Sequence, residues 1–331
     1  MQDQKTIAII GATGNQGSSV ARIFLESSNW HVRCLTRNIN SAASQHLSSL
    51  GAEVISADLN DVSMLVKAFE GCHAIFLLTD FWGPYTAGVK EGRGREEMSR
   101  VGMDIELQHV KNAATAAKTT ISTLERLVFS ALGPMERASG GKYSHSYHWE
   151  SKARAVEYLE RDNPELASKT SYIYPGCYST NPFLLPRKNA ETGEYEMTLP
   201  CAESTIFPII DPQESTGSFV RALIDDEPPM TKLLAYDSCM TAKEALDAWC
   251  QATGKNARYV TSTVEEMHRA TGLPLEVLEA PAFMGEFGFT KEVEGIIEPK
   301  DLRRTVDTAS YYAFLGKQSD EFLLTSQNPQ V

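Results

Sequence analysis

Short, mostly apolar runs punctuate the first half of the chain, and each is followed by a stretch whose apolar residues recur every three or four positions. The runs are Ile7–Ile10, His31–Thr36, Glu53–Ala57, His73–Leu78 and Arg126–Ser130. Near-continuous apolarity over so few residues suits a strand covered on both faces. The stretches Ser18–Glu26, Ser41–Leu50, Val62–Phe69 and Met103–Lys118 suit amphipathic helices. Alternation of the two predicts an α/β protein with a doubly wound parallel sheet. Phe81–Arg100 interrupts the rhythm. It is rich in glycine and charge, opens with Phe81, Trp82 and Tyr85, and reads as a loop leaving the carboxyl end of the fourth strand. Ligands bind at that end of such sheets, so the loop is expected either to cover a ligand or to pack on a second lobe.

Beyond Pro175 the pattern loosens. Tyr178–Pro186 reads as a loop and Arg187–Glu194 as a polar turn in a hairpin. Phe207–Asp211 and Gly217–Ile224 read as a strand and a helix that return to the first lobe. Thr241 with Glu244, and Thr263 with Glu266, match capping boxes whose helices end near Gly254 and Gly272. The expected division is a large lobe over 1–178, joined by 206–225, and a smaller C-terminal α/β lobe over 179–331.

The chemistry begins where the first strand ends. Gly11-Ala12-Thr13-Gly14-Asn15-Gln16-Gly17 stands between a strand and a helix, the setting a dinucleotide fingerprint requires. Its glycines allow a tight turn, backbone approach by a pyrophosphate, and close helix–strand packing. Gly11, Thr13, Gly14, Asn15, Gln16 and Gly17 are therefore candidate cofactor residues, with helix N–H groups facing the phosphates. The second strand ends in Arg37-Asn38, where such folds read the adenosine ribose. No Asp or Glu lies between His31 and Asn40 to accept from the 2′-hydroxyl of NAD. Arg37 offers a charged fork suited to a 2′-phosphate, so NADP(H) is favoured over NAD(H). Asp58 follows the third strand, where an adenine-contacting side chain belongs.

After the fifth strand comes Tyr143-Ser144-His145-Ser146-Tyr147-His148-Trp149-Glu150-Ser151-Lys152, opening the helix Ala153–Glu160. Short-chain dehydrogenases carry a catalytic tyrosine four residues before a lysine on such a helix. Here Lys152 is present and His148 stands four before it. Tyr147, five before, lies about 100° away around a helix. Three readings stay open: His148 donates the proton, Tyr143 or Tyr147 swings in, or the site binds dinucleotide and reduces nothing.

Composition narrows the classes. The chain has 331 residues, 42% hydrophobic and 22% charged, ordinary for a globular protein with a sizeable core. A net charge of −12 argues against direct binding of nucleic acid or an anionic membrane. The six cysteines include no CxxC pair, and the histidines show no metal-ligand spacing, so no metal site is expected. Cys177 lacks a local basic partner, and no GxSxG elbow occurs. Met1–Lys5 is polar and no apolar run reaches a membrane span. A cytoplasmic protein with nuclear access is the expectation.

Taken together, GATGNQG, Arg37-Asn38, Asp58 after Gly51-Ala52-Glu53-Val54, Thr79-Asp80-Phe81-Trp82 and His148-x-x-x-Lys152 resemble the NmrA-like family of atypical short-chain dehydrogenases. The likeness continues through Pro175-Gly176-Cys177-Tyr178, Pro208–Asp211 and Asp301-Leu302-Arg303-Arg304, so it covers nearly the whole chain. It implies a Rossmann lobe, a smaller C-terminal lobe, and NAD(P) in the cleft between them. It adds Leu59, Thr79, Asp80, Phe81, Lys152, Tyr174, Pro175, Cys177 and Tyr178 to the expected cofactor contacts, with Lys152 on the nicotinamide ribose. Some members of the family are redox sensors that bind the dinucleotide and then a transcription factor or signalling protein. Others are reductases. Histidine at the tyrosine position matches the sensors, so the sensor reading leads. An NADPH-dependent reductase of a small carbonyl, imine or quinone, with His148 and Lys152 as catalytic residues, is the alternative. A homodimer is left open.

Overall fold

A computed structural model describes residues 4–324. Along the chain run β1 (Lys5–Ile10), α1 (Asn15–Leu25), β2 (Trp30–Thr36), α2 (Ala42–Ser49), β3 (Glu53–Ser56), α3 (Val62–Phe69) and β4 (Ala74–Leu77). Next come α4 (Trp82–Lys90), α5 (Arg95–Thr119), β5 (Arg126–Ser130), α6 (Met135–Ala138), α7 (Tyr147–Asp162), α8 (Pro164–Ala167) and β6 (Thr170–Pro175). The remainder holds β7 (Cys177–Tyr178), β8 (Arg187–Lys188), β9 (Tyr195–Leu199), β10 (Ile206–Ile210), α9 (Thr216–Asp225), β11 (Lys232–Ala235), β12 (Ser238–Thr241) and α10 (Ala242–Thr253). It closes with β13 (Ala257–Thr261), α11 (Val264–Thr271), α12 (Leu275–Phe287), β14 (Ile296–Ile297), α13 (Tyr311–Leu315) and α14 (Asp320–Leu324).

Eight strands form one sheet in the order β14-β11-β6-β5-β4-β1-β2-β3, and every pairing in it is parallel. Both faces are covered, which is why its strands read as unbroken apolar runs. Ile7 and Ile9 point into the core beneath α1 and α9, while Ala8 and Ile10 point into the core beneath α3, α5 and α7. This is the doubly wound Rossmann-type architecture. Strand order reverses between β1 and β4, and the crevice outside the carboxyl ends there is where open α/β sheets bind ligands.

Two three-stranded sheets, β12-β10-β7 and β13-β9-β8, stand apart from the large one. β10 joins a small sheet rather than the large one, pairing with β7 at Cys177–Tyr178, and its Ile210 packs into the core beneath α1 and α9. Helix α9 packs closely on α1: a Cβ on Gly217 would lie 2.3 Å from the Ser19 carbonyl oxygen. The stretch beyond 179 also supplies β11 and β14 to the large sheet, more than the segment 206–225 alone. Both capping boxes are present, and their helices close on Gly254 and Gly272 in the left-handed conformation.

The expected loop over Phe81–Arg100 is instead α4 and the start of α5. Pro84 falls in the first turn of α4, where its missing N–H costs nothing. Gly83 N–H donates to Asp80 Oδ1 at 3.0 Å. Gly88 gives Met98 of α5 room to lie on α4, since a Cβ there would be 2.3 Å from Met98 Sδ. Gly88 is thus a helix-packing residue, while Gly92, with φ +87°, and Gly94, the N-cap of α5, serve the turn between the two helices. Among the described residues no helix is long and apolar enough to cross a membrane.

Candidate functional site

One cleft of about 1820 Å³ opens at the strand-order reversal and runs between the large sheet and the C-terminal elements. Gly11, Thr13, Gly14, Asn15, Gln16, Arg37, Asn38, Asp58, Leu59, Thr79, Asp80, Phe81, His148, Lys152, Pro175, Cys177 and Tyr178 all line it. Two expected contacts do not. Gly17 serves helix packing, because a Cβ on it would meet the Gly11 carbonyl oxygen at 2.1 Å. Tyr174 is turned into the core under the sheet, and burial raises its phenol pKa.

The first end of the cleft is built by the turn after β1. Gly11 has φ +70°, and its carbonyl accepts from Gly14 N–H at 2.9 Å. A Cβ on Gly14 would meet nothing nearer than 3.4 Å, so the protein's own packing does not demand glycine there. Gly14 lines the cleft, where a phosphate cradle would need that space. Helix α1 begins with no side-chain cap on its N–H groups. Gln16 is buried, donates Nε2 to the Tyr178 hydroxyl at 2.6 Å, and keeps Oε1 without a partner. Asn15 Oδ1 accepts from Gln213 at 2.8 Å, tying the turn to the chain before α9.

Arg37 projects from the end of β2, exposed, with no hydrogen bond or ion pair among the described residues. Asp58 Oδ1 accepts from the backbone and side chain of Asn60 at 2.8 and 2.9 Å, which presents this loop to the cleft. His109 of α5 also lines this end, its Nε2 3.2 Å from Asn60 Oδ1. Burial lowers its pKa, and the nearby Arg37 charge acts in the same direction, against the pull of Asp58 and Glu106. Its position in a long helical pattern gave no sign of a site.

At the other end Lys152 Nζ lies 2.8 Å from Glu106 Oε1 and 3.4 Å from both oxygens of Thr79. Thr79 donates to the same Glu106 oxygen at 2.8 Å, and Ser151 donates to the other. One turn earlier on α7, His148 Nδ1 lies 2.5 Å from Glu276 Oε1 of α12, and the His148 backbone N–H donates to that oxygen at 2.9 Å. The rings of Trp82 and Phe81 pack at 5.1 and 5.8 Å from the imidazole. Helix α7 starts at Tyr147, earlier than expected, so His148 and Lys152 share one helical face. The two tyrosines stand elsewhere. Tyr147 accepts from Arg100 at 3.3 Å, Tyr143 donates to Glu286 at 3.0 Å, and neither lines the cleft. Burial pushes the Cys177 thiol up to about 12, which keeps it protonated and unreactive.

The model of the NmrA-like family matches residues 3–310. Among curated proteins the chain is 27% identical to an NmrA-like family domain-containing oxidoreductase, himF, of Aspergillus japonicus, over 81% of this chain and 79% of that one. It is 28% identical to another, hkm9 of Aspergillus hancockii, over 88% and 84%. Among solved structures, NmrA, a negative transcriptional regulator, in complex with NADP superposes with a TM-score of 0.67 at 18% identity, over 96% and 95% of the two chains. The leucoanthocyanidin reductase–NADPH complex from Vitis vinifera superposes with a TM-score of 0.68 at 16% identity, over 96% and 99%.

Proposed function

The chain belongs to the NmrA-like family, and from that premise we propose that it binds NADP(H) in preference to NAD(H) and reduces a small carbonyl, imine or quinone compound with it. The observation that carries this reading is the pairing of His148 and Lys152 on one helical face of a cleft with space to spare. Single-ligand sites run to about 300–1,000 Å³, and this cleft is about 1820 Å³. A dinucleotide along the β1 and β2 ends leaves room for a second molecule against His148.

The residues present fit the cofactor. Gly14 has no atom nearer than 3.4 Å to a Cβ position, and among the described residues Gln16 Oε1 is buried without a partner and the Arg37 guanidinium, on the cleft wall, has no hydrogen bond or ion pair. Bound there, the reduced nicotinamide would supply a hydride. Lys152, held by Glu106, would orient the nicotinamide ribose. His148 would give a proton to the oxygen or nitrogen that gains charge as the hydride arrives. Phe81 and Trp82 exclude water from that side. The Aspergillus relatives named oxidoreductases support the same class of activity.

The sensor reading rests on the absent tyrosine. It loses ground here because His148 lines the cleft with its ring already seated on a carboxylate, an arrangement useful for proton transfer. The deciding experiment follows NADPH consumption under multiple turnover with a panel of ketones, imines and quinones, beside calorimetric titration of NADP and NAD. Sustained oxidation of NADPH is expected. Tight NADP binding with no turnover on any of these classes would return the protein to the sensors.

A further inference from the structure

We propose that Glu276 is the positioning residue that makes His148 a proton donor, so that the acid of this site is a histidine–glutamate pair completed by the C-terminal half of the chain. The inference rests on the reductase reading above. Glu276 is 2% exposed, on α12, and its Oε1 lies 2.5 Å from His148 Nδ1 and accepts the backbone N–H of the same residue. A buried carboxylate so placed fixes the imidazole proton on Nδ1, because an unprotonated Nδ1 would face an anion. His148 lines the cleft, and with Nδ1 turned to Glu276 its other ring nitrogen, Nε2, makes no hydrogen bond among the described residues. Glu276 Oε2 has no hydrogen-bond partner among the described residues, so the carboxylate is engaged by His148 alone, through its ring and its backbone N–H.

A second pair nearby supplies an internal comparison. His145 Nδ1 lies 2.6 Å from Glu279 Oε1, and its backbone N–H donates to Glu279 Oε2 at 2.8 Å. The histidines are three apart before and on α7, the glutamates three apart on α12, and the two pairs run antiparallel. The His145 side chain is 41% exposed and does not line the cleft, whereas that of His148 is 17% exposed and does. Both pairs clamp the two elements together, and one of them alone faces the space where a substrate would lie.

The charged and titratable neighbours leave Nε2 as the available donor. Lys152, one turn along α7, is engaged by Glu106 of α5. Arg95, at the start of α5, donates to the Gly272 carbonyl at 2.9 Å. Tyr85 of α4 is buried, which raises its phenol pKa, and the Glu276 charge adds to that. Asp80, at the entry to α4, accepts from Gly83 N–H.

The step balances. Protonated His148 carries one proton toward Glu276 and one on Nε2. As carbon of a C=O or C=N group takes a hydride, the π electron pair moves to oxygen or nitrogen. That atom takes the Nε2 proton, leaving an alcohol or amine and a neutral imidazole still bonded to Glu276 through Nδ1. Solvent at the cleft then restores the proton.

The test uses the full chain with ¹⁵N-labelled histidine, with Glu276→Ala and Glu279→Ala compared side by side. In the wild type, neutral His148 should show the Nδ1–H tautomer. Glu276→Ala should revert it to the Nε2–H form common in free histidine and lower turnover by about 10²-fold or more. NADP affinity should be unchanged. Glu279→Ala should lower the melting temperature and leave the His148 tautomer and turnover alone. If Glu276→Ala does not fold, Glu276→Gln keeps an acceptor without the charge, and turnover should fall while KM holds. An Nε2–H tautomer in the wild type, or equal loss of turnover in the Glu276 and Glu279 variants, would overturn the proposal. No turnover in the wild type alongside the Nδ1–H tautomer would sink the reductase reading and the donor role with it, leaving only Glu276's hold on the ring.

Discussion

Lys152 Nζ sits 2.8 Å from Oε1 of Glu106, a carboxylate with no exposed surface. Thr79 and Ser151 fill its other hydrogen-bonding sites. A buried charge so fully engaged stabilises only as a set, because removing one member leaves its partner desolvated and unpaired. Glu106→Ala should cost about 3–5 kcal/mol in urea unfolding. Adding Lys152→Met should recover part of that loss, since the stranded ammonium goes with it. A double variant as unstable as the sum of the single ones would show that the two residues act independently.

The proposed preference for NADP turns on Arg37. Arg37→Ala should weaken NADP binding by about 1.5–3 kcal/mol, the scale of a charge-assisted hydrogen bond, and leave NAD binding nearly unchanged. Calorimetric titration of both nucleotides checks this, and equal losses would remove the guanidinium from the 2′-phosphate.

The glycines of the first turn should separate folding from binding. A Cβ at position 17 would lie 2.1 Å from the Gly11 carbonyl oxygen, so Gly17→Ala must displace α1 from β1. A cost of about 1–3 kcal/mol or more is expected in thermal unfolding. At Gly14 the nearest atom is 3.4 Å away. Gly14→Val should keep nearly the wild-type melting temperature and lose dinucleotide binding, because the branch occupies the space a pyrophosphate needs. Normal NADP affinity in a folded Gly14→Val protein would place the phosphates elsewhere.

His109 gives the protein an acid-sensitive component. Burial holds its pKa below 6.5 in the folded state. As the pH falls through 6.5 the unfolded chain binds a proton that the folded chain does not, so stability drops with falling pH until the folded-state value is passed. His109→Gln should flatten the stability curve below about pH 6.5. Unfolding measured across that range checks the slope. An unchanged slope would mean that another group carries the acid limb.

Much of the first lobe was legible because its signals are local. β5 and α3 have the bounds their apolar patterns set, and the Thr241 and Thr263 capping boxes hold their own helices. The Phe81–Arg100 stretch misled for a physical reason. Glycine serves turns and tight helix contacts alike, and what distinguishes them at Gly88 is the position of Met98 on another helix. The site shows the same divide. His148 and Lys152 were visible by their spacing, but Glu276 is 128 residues from His148 and Glu106 is 46 from Lys152. No pattern within one element announces a carboxylate delivered by another. Gly17 and Tyr174 neighbour wall residues in the sequence, but the first turn of α1 sets the Gly17 Cα against the Gly11 backbone and the strand period turns the Tyr174 side chain into the core.

Helix α7 has no capping side chain of its own at Ser146; the N–H of His148, and that of His145 just upstream, are met by carboxylates from α12. The helix bearing both candidate catalytic residues is thus finished by a piece of chain translated more than a hundred residues later. A nascent or truncated chain ending before Glu276 would carry the whole glycine turn and yet leave the imidazole unheld. A chimera meets the same constraint: a C-terminal half grafted onto this chain must bring carboxylates in register with His145 and His148 before the helix is finished.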